Sequence, residues 1–221
     1  GGKVPSPKIL LKAFEEVKPN LILTVPLILE KIYKKMILPQ LSKTTMKVAL
    51  NIPLLDSRIY AQIRKKLVDA FGGRFREVIV GGAAMNEEVT NFLYKIKFPF
   101  TIGYGMTECG PLISYDHNDE YVPGSCGQIL KGIMKVRIDS EDPYNKVGEI
   151  QVSGENVMKG YYKNEEATSK VFTEDGWLRT GDLGTIDADN RIYIRGRSKT
   201  MILGASGQNI YPEEIESKLN N

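Results

Sequence analysis

Cysteine is scarce in this chain: Cys109 and Cys126 are the only two among 221 residues. They form no disulfide framework and no CxxC pair, which excludes a stapled secreted scaffold and a thiolate-held metal, and makes a reducing cytoplasm the expected compartment. Histidine is scarcer still. His117 stands alone in the polar run Asp116 to Glu120, where a solvated loop is expected and a catalytic base is not. Long apolar runs are also missing. The most apolar stretch, Leu21 to Leu29, contains Pro26 and falls far short of the roughly 20 residues that span a bilayer. The opening GGKVPSPK lacks the apolar segment of a signal peptide. Basic residues number 30 against 27 acidic and form no dense block, so nucleic acid is excluded as a partner. Neither common phosphate loop occurs, because there is no GxxxxGK[ST] and GYGMTECG does not fit GxGxxG.

What is present is an ordinary globular balance, 42% hydrophobic and 26% charged, enough core for one large domain or two small ones. The first half alternates helix and strand. Ile59, Ile63, Leu67 and Phe71 recur every four residues between Ser57 and Gly72-Gly73, the pattern of an amphipathic helix with a glycine stop. Glu77 to Val80 reads as a short strand running into Gly81-Gly82, after which Asn86 caps a helix carrying Val89, Phe92, Leu93 and Ile96. A second apolar run, Phe98 to Ile102, leads into YGMTECGP at 104 to 111. Two strand ends thus open onto glycine-rich loops, where ligands sit in an open parallel sheet. From about Gly124 short strands alternate with turns at 132–138, 148–153, 177–187 and 191–194, as in a small antiparallel sheet. The end, Tyr211-Pro-Glu-Glu-Ile-Glu, suits the start of a helix.

The chemistry-bearing residues cluster in three stretches. In YGMTECGP a tyrosine can stack on a base, a threonine hydroxyl can donate to phosphate and a glutamate can hold a hard cation; equally, Thr107 and Glu108 could merely cap a helix. In GWLRTGDLG at 176 to 184, Asp182 could accept two ribose hydroxyls or form a turn. In RGRSKTMILG at 195 to 204, Arg197 and Lys199 could meet phosphate or ribose, or belong to a solvated turn. The lysines 31, 34 and 35, among Ile28, Leu29, Ile32 and Met36, suit the wet face of a helix and leave room for peripheral contact with a membrane surface.

Five blocks in order carry a resemblance: GGAAM at 81–85, YGMTECGP, GEIQVSGENVMKGYYKNEEAT at 148–168, GWLRTGDLG, and GRSKTMILGASGQNIYPEEIE at 196–216. Together they resemble the adenylate-forming enzymes, and within them the long-chain fatty acid CoA ligases, of bacterial type above all. The resemblance implies an α/β chain: the strand-helix part of a large adenylation domain over 1–123, a small antiparallel β subdomain over 124–196, and the hinge and start of a C-terminal α+β domain over 197–221. It also implies an internal fragment, since the family's upstream phosphate loop and its late adenylation lysine are missing. By resemblance, Gly82, Ala83 and Tyr104 line the adenine slot, Thr107 contacts phosphate, Glu108 binds Mg2+, and Asp182 binds ribose beside Arg197. Lys199 falls at the hinge, Gly207 borders the coenzyme A channel, and Gly105 leaves the acyl pocket open to a medium or long chain. The implied substrates are ATP, a fatty acid and coenzyme A. A lysine that some relatives carry a few residues past the hinge is replaced here by Leu203. Loading of a carrier protein and non-catalytic nucleotide binding are the alternative readings.

Overall fold

The structure, a computed structural model, describes residues 7–203 together with 209, 210, 212, 215 and 219. The chain divides into two compact units, 1–101 and 102–221.

In the first unit α1 (Pro7–Val17) leads to β1 (Leu21–Thr24) and α2 (Pro26–Ile32). Pro26 divides the apolar run Leu21 to Leu29 into strand and helix: it has no N–H to continue a ladder, but its fixed φ suits a first helical turn. A π-helical turn, Tyr33–Ile37, joins α2 to α3 (Leu38–Leu41), followed by α4 (Thr44–Leu50) and α5 (Leu55–Ala70). Then come β2 (Glu77–Val80), α6 (Glu87–Lys95) and β3 (Phe100–Ile102), and the sheet order is β1-β2-β3 with β1 parallel to β2. The Asn86 side chain accepts from the Val89 N–H at 3.1 Å, so the expected cap of α6 is present. Packing rests on aromatic rings: Phe71 stacks on Phe14 at 5.4 Å between centroids and meets Phe98 at 5.7 Å, and Val78, Val80 and Val89 are fully buried.

The second unit begins with β4 (Tyr104–Gly105), a 3-10 turn at Thr107–Cys109 and β5 (Leu112–Ser114), which pairs antiparallel with β4. Next are β6 (Met134–Asp139), β7 (Gly148–Gly154), α7 (Glu165–Val171), β8 (Leu178–Ile186) and β9 (Ile192–Arg197). The four long strands form one antiparallel sheet in the order β6-β7-β8-β9, as the alternation of strand and turn implies. Ile138, Ile150, Val152, Leu178 and Ile192 from this sheet pack with Ile113 and Cys109 in a single core. A last pair, β10 (Ile202–Leu203) with β11 (Asn209–Ile210), is antiparallel.

One expectation is corrected here. Asp116 does not belong to a solvated run: it is 3% exposed, its Oδ1 accepts from the Gln128 N–H at 3.2 Å, and its Oδ2 pairs with Arg191 Nε at 3.0 Å. A carboxylate that loses water at this depth is held by a paired, hydrogen-bonded partner. His117 is exposed and shares a 2.9 Å hydrogen bond with the Tyr115 hydroxyl. Among the described residues no helix is long and apolar enough to cross a membrane.

Candidate functional site

In the antiparallel register of β8 and β9, Asp182 lies directly opposite Arg197. Strand pairing therefore faces a carboxylate with a guanidinium, and Arg197 Nε reaches Asp182 Oδ1 at 3.1 Å. The second oxygen, Oδ2, accepts from the Tyr104 hydroxyl at 2.7 Å. Asp182 is 8% exposed and Tyr104 7%, with the tyrosine ring among the core residues of the unit. Burial, and then the neighbouring Asp182 charge, push the Tyr104 phenol far above its ordinary value, so it serves as a donor throughout the accessible pH range. Asp182 is thus no turn-former; it sits within β8, oriented by the Tyr104 hydroxyl and by its ion pair with Arg197, and each oxygen keeps lone-pair capacity for a further hydroxyl.

Thr107 and Glu108 occupy the tight link between β4 and β5. The Met106 N–H donates to the Pro111 carbonyl at 2.8 Å and the Cys109 N–H to the Met106 carbonyl at 3.0 Å, closing a 3-10 turn that ends at Gly110. Neither residue is a helix N-cap, since the turn has Met106 in that place and no side-chain cap. Gly105 is required by the backbone: a Cβ there would lie 2.0 Å from the Pro111 oxygen. The pairing of β4 with β5 therefore accounts for this glycine without reference to an acyl pocket. Cys109 is fully buried, and burial pushes its thiol up to about 11.

The loop is held from outside by a segment 44 to 53 residues further along. The Asn156 amide donates to the carbonyls of Cys109 at 2.7 Å and Leu112 at 2.9 Å. The Met158 N–H donates to the Glu108 carbonyl at 2.7 Å, and the Tyr161 hydroxyl to Glu108 Oε1 at 2.9 Å. Glu108 Oε2 and the Thr107 hydroxyl have no partner among the described residues. Among those residues no three metal-ligating side chains come together. A lone, half-exposed carboxylate does fit magnesium arriving with a nucleotide, which takes one or two carboxylates plus phosphate oxygens and water.

The remaining expected residues lie elsewhere. Lys199 is exposed in the turn Ser198–Thr200 that follows β9. Gly82 and Ala83 are exposed on the loop after β2 and belong to the first unit; Gly207 lies outside the described residues. Asn156 and Tyr161 carry no signal of their own in the sequence beyond membership of the 148–168 block. A separate cleft of about 810 Å³ includes Arg137, Gln151 and Arg179 and none of these residues. Its arginines are already engaged, Arg137 with Asp175 and the Trp177 ring, and Arg179 with Glu149.

A parallel β-sheet unit followed by an antiparallel one, the latter carrying the acid-arginine pair and the Thr-Glu loop, is the mixed α/β architecture of the adenylate-forming enzymes. The family described as AMP-binding enzyme matches residues 1–162, and the chain belongs to it. Long-chain-fatty-acid–CoA ligase 1 of Saccharomyces cerevisiae is 30% identical over 220 residues, covering 92% of this chain and 31% of that protein. 4-coumarate-CoA ligase 1 of Narcissus pseudonarcissus is 35% identical over 180 residues, covering 76% of this chain and 32% of that protein. Among solved structures, o-succinylbenzoate coenzyme A synthetase from Bacillus subtilis in complex with ATP and magnesium superposes with a TM-score of 0.70 at 26% identity, over 97% of this chain and 39% of that one. The chain spans about a third of the length of the curated relatives it matches.

Proposed function

We propose that these 221 residues form part of an ATP-dependent acid-thiol ligase whose acid is a medium or long-chain fatty acid. In the first half-reaction a carboxylate oxygen attacks the α-phosphorus of magnesium ATP, giving an acyl adenylate and pyrophosphate. In the second, the sulfur of coenzyme A attacks the acyl carbon, AMP leaves with the bonding pair, and the thiol proton passes to solvent. The observation that carries the reading is Asp182, buried and fixed by Tyr104 and Arg197 with lone pairs to spare for ribose hydroxyls. Glu108 would hold the magnesium that neutralises the nucleotide's phosphates, and Thr107 would offer its hydroxyl to phosphate, while Gly82 and Ala83 are assigned to contacts with the base. Lys199 serves as the hinge and Gly207 as a border of the coenzyme A channel. No base is assigned to the thioester step, since Leu203 stands where some relatives carry lysine.

The fatty acid assignment is supported by the similarity to the yeast enzyme, which covers nearly all of this chain. The similarity to the Narcissus enzyme supports a second reading, an aromatic hydroxycinnamic acid as substrate. Carboxylate-dependent exchange of pyrophosphate into ATP separates them when the complete protein is offered acetate, octanoate, palmitate and 4-coumarate. The expected result is fastest exchange with octanoate or palmitate, abolished by Glu108→Ala. Exchange led by 4-coumarate establishes the second reading; acetate in the lead overturns the open acyl pocket. No exchange with any acid leaves non-catalytic nucleotide binding, and transfer of the acyl group to a phosphopantetheinyl carrier in place of coenzyme A marks a carrier-loading enzyme.

A further inference from the structure

The tie between residues 156–161 and the Thr107–Glu108 loop has two parts that differ in kind. Asn156 and Met158 hold the main chain of the loop. Tyr161 alone touches a reactive side chain, donating its phenol to Glu108 Oε1 at 2.9 Å across 53 residues of sequence. We propose that Tyr161 is a positioning residue for Glu108, occupying Oε1 so that the carboxylate turns Oε2 toward the divalent cation of the bound nucleotide. The inference rests on the proposed metal role of Glu108.

Several features prepare Tyr161 for this task. Gly160 has φ +150, a conformation that strains any other residue, and a Cβ there would lie 2.8 Å from Thr168 Cγ2, so the chain passes close against this side chain of the helix. The Tyr161 N–H then donates to Thr168 Oγ1 at 2.9 Å, and the same hydroxyl donates to the Asn164 carbonyl at 2.8 Å in the first turn of α7. Asn164 in turn caps α7 by accepting from the Ala167 N–H at 3.0 Å. The backbone of Tyr161 is therefore fixed by a capped helix before its side chain reaches out. Tyr162, its neighbour, supplies the contrast: it is 88% exposed, and the recorded contact of its ring is with Lys163.

A hydrogen bond to a metal-bound carboxylate orients that ligand, and its loss weakens metal binding by roughly 10- to 100-fold in well-built sites. For a solvent-facing phenol the low end applies. The test is Mn2+ binding, followed by electron paramagnetic resonance of the free ion, to the complete protein saturated with α,β-methylene-ATP. Tyr161→Phe is expected to weaken Mn2+ binding about 5- to 10-fold and Tyr162→Phe to leave it within about twofold. Combined with Glu108→Gln, Tyr161→Phe should add nothing, because it acts through that carboxylate. A merely structural role would give additive losses, which overturns the proposal, as does unchanged Mn2+ affinity in Tyr161→Phe. If Glu108→Gln itself leaves Mn2+ binding intact, Glu108 is not a ligand, and the metal assignment falls together with the inference.

Discussion

Asp182 combines a structural demand with a functional one. Its two oxygens anchor the Tyr104 hydroxyl and Arg197, yet the proposed ribose contact needs the same charged oxygens as acceptors. Asp182→Asn preserves the shape and removes the charge. Hydrogen bonds to a charged acceptor contribute about 1.5–3 kcal/mol each, so the substitution should weaken ATP binding at least about tenfold by calorimetry. Unchanged affinity would sink the ribose role. The residue types of this site were visible in the sequence; their partnerships were not. Tyr104 and Asp182 stand 78 positions apart and Tyr161 and Glu108 stand 53 apart, and no local periodicity relates such pairs. The same holds for Asp116, whose polar neighbours suggest solvent while its Arg191 partner lies 75 residues away.

Elements were more legible than contacts, because caps, breakers and periodicity act within a few residues. The Asn86 cap, the stop at Gly72-Gly73 and the alternation of strand and turn from 124 onward all express local chemistry. The division of Leu21 to Leu29 at Pro26 belongs with them in hindsight, since proline ends a ladder and begins a helix. The π-helical turn at Tyr33–Ile37 had no local signal, and the reason for Gly105 needs the position of Pro111. That reason is open to test. Gly105→Ala forces a methyl group against the Pro111 carbonyl, and overpacking of this kind costs about 1–3 kcal/mol. The expected outcome is a lowered urea midpoint, together with faster amide exchange at Met106, whose N–H donates to that same carbonyl. A variant as stable as the parent would show that the β4–β5 link tolerates a wider turn, and would return the glycine to the acyl pocket.

Across the whole molecule, burial raises several acids together. Cys109 is pushed up to about 11, Cys126 to about 12, and the Tyr33 and Tyr104 phenols above their ordinary values. The unfolded chain ionises these groups earlier than the folded one. Their neutral forms therefore support the fold fully below the ordinary thiol value of 9, and that support is lost as pH rises through the folded values. The urea midpoint should be level from about pH 7 to 8.5 and fall between about 9 and 11, less steeply in Cys109→Ala. A level midpoint through that window would show that both thiols ionise as readily inside the protein as outside it.

The main-chain tie to Glu108 has a consequence of its own. The Met158 N–H donates to the Glu108 carbonyl, a group every amino acid carries, so replacing the side chain leaves this anchor and both Asn156 bonds in place. Shape and reactivity are separable at this position. A silent but native-shaped protein is within reach of one substitution, and such a protein could hold its substrates still long enough to be seen with them.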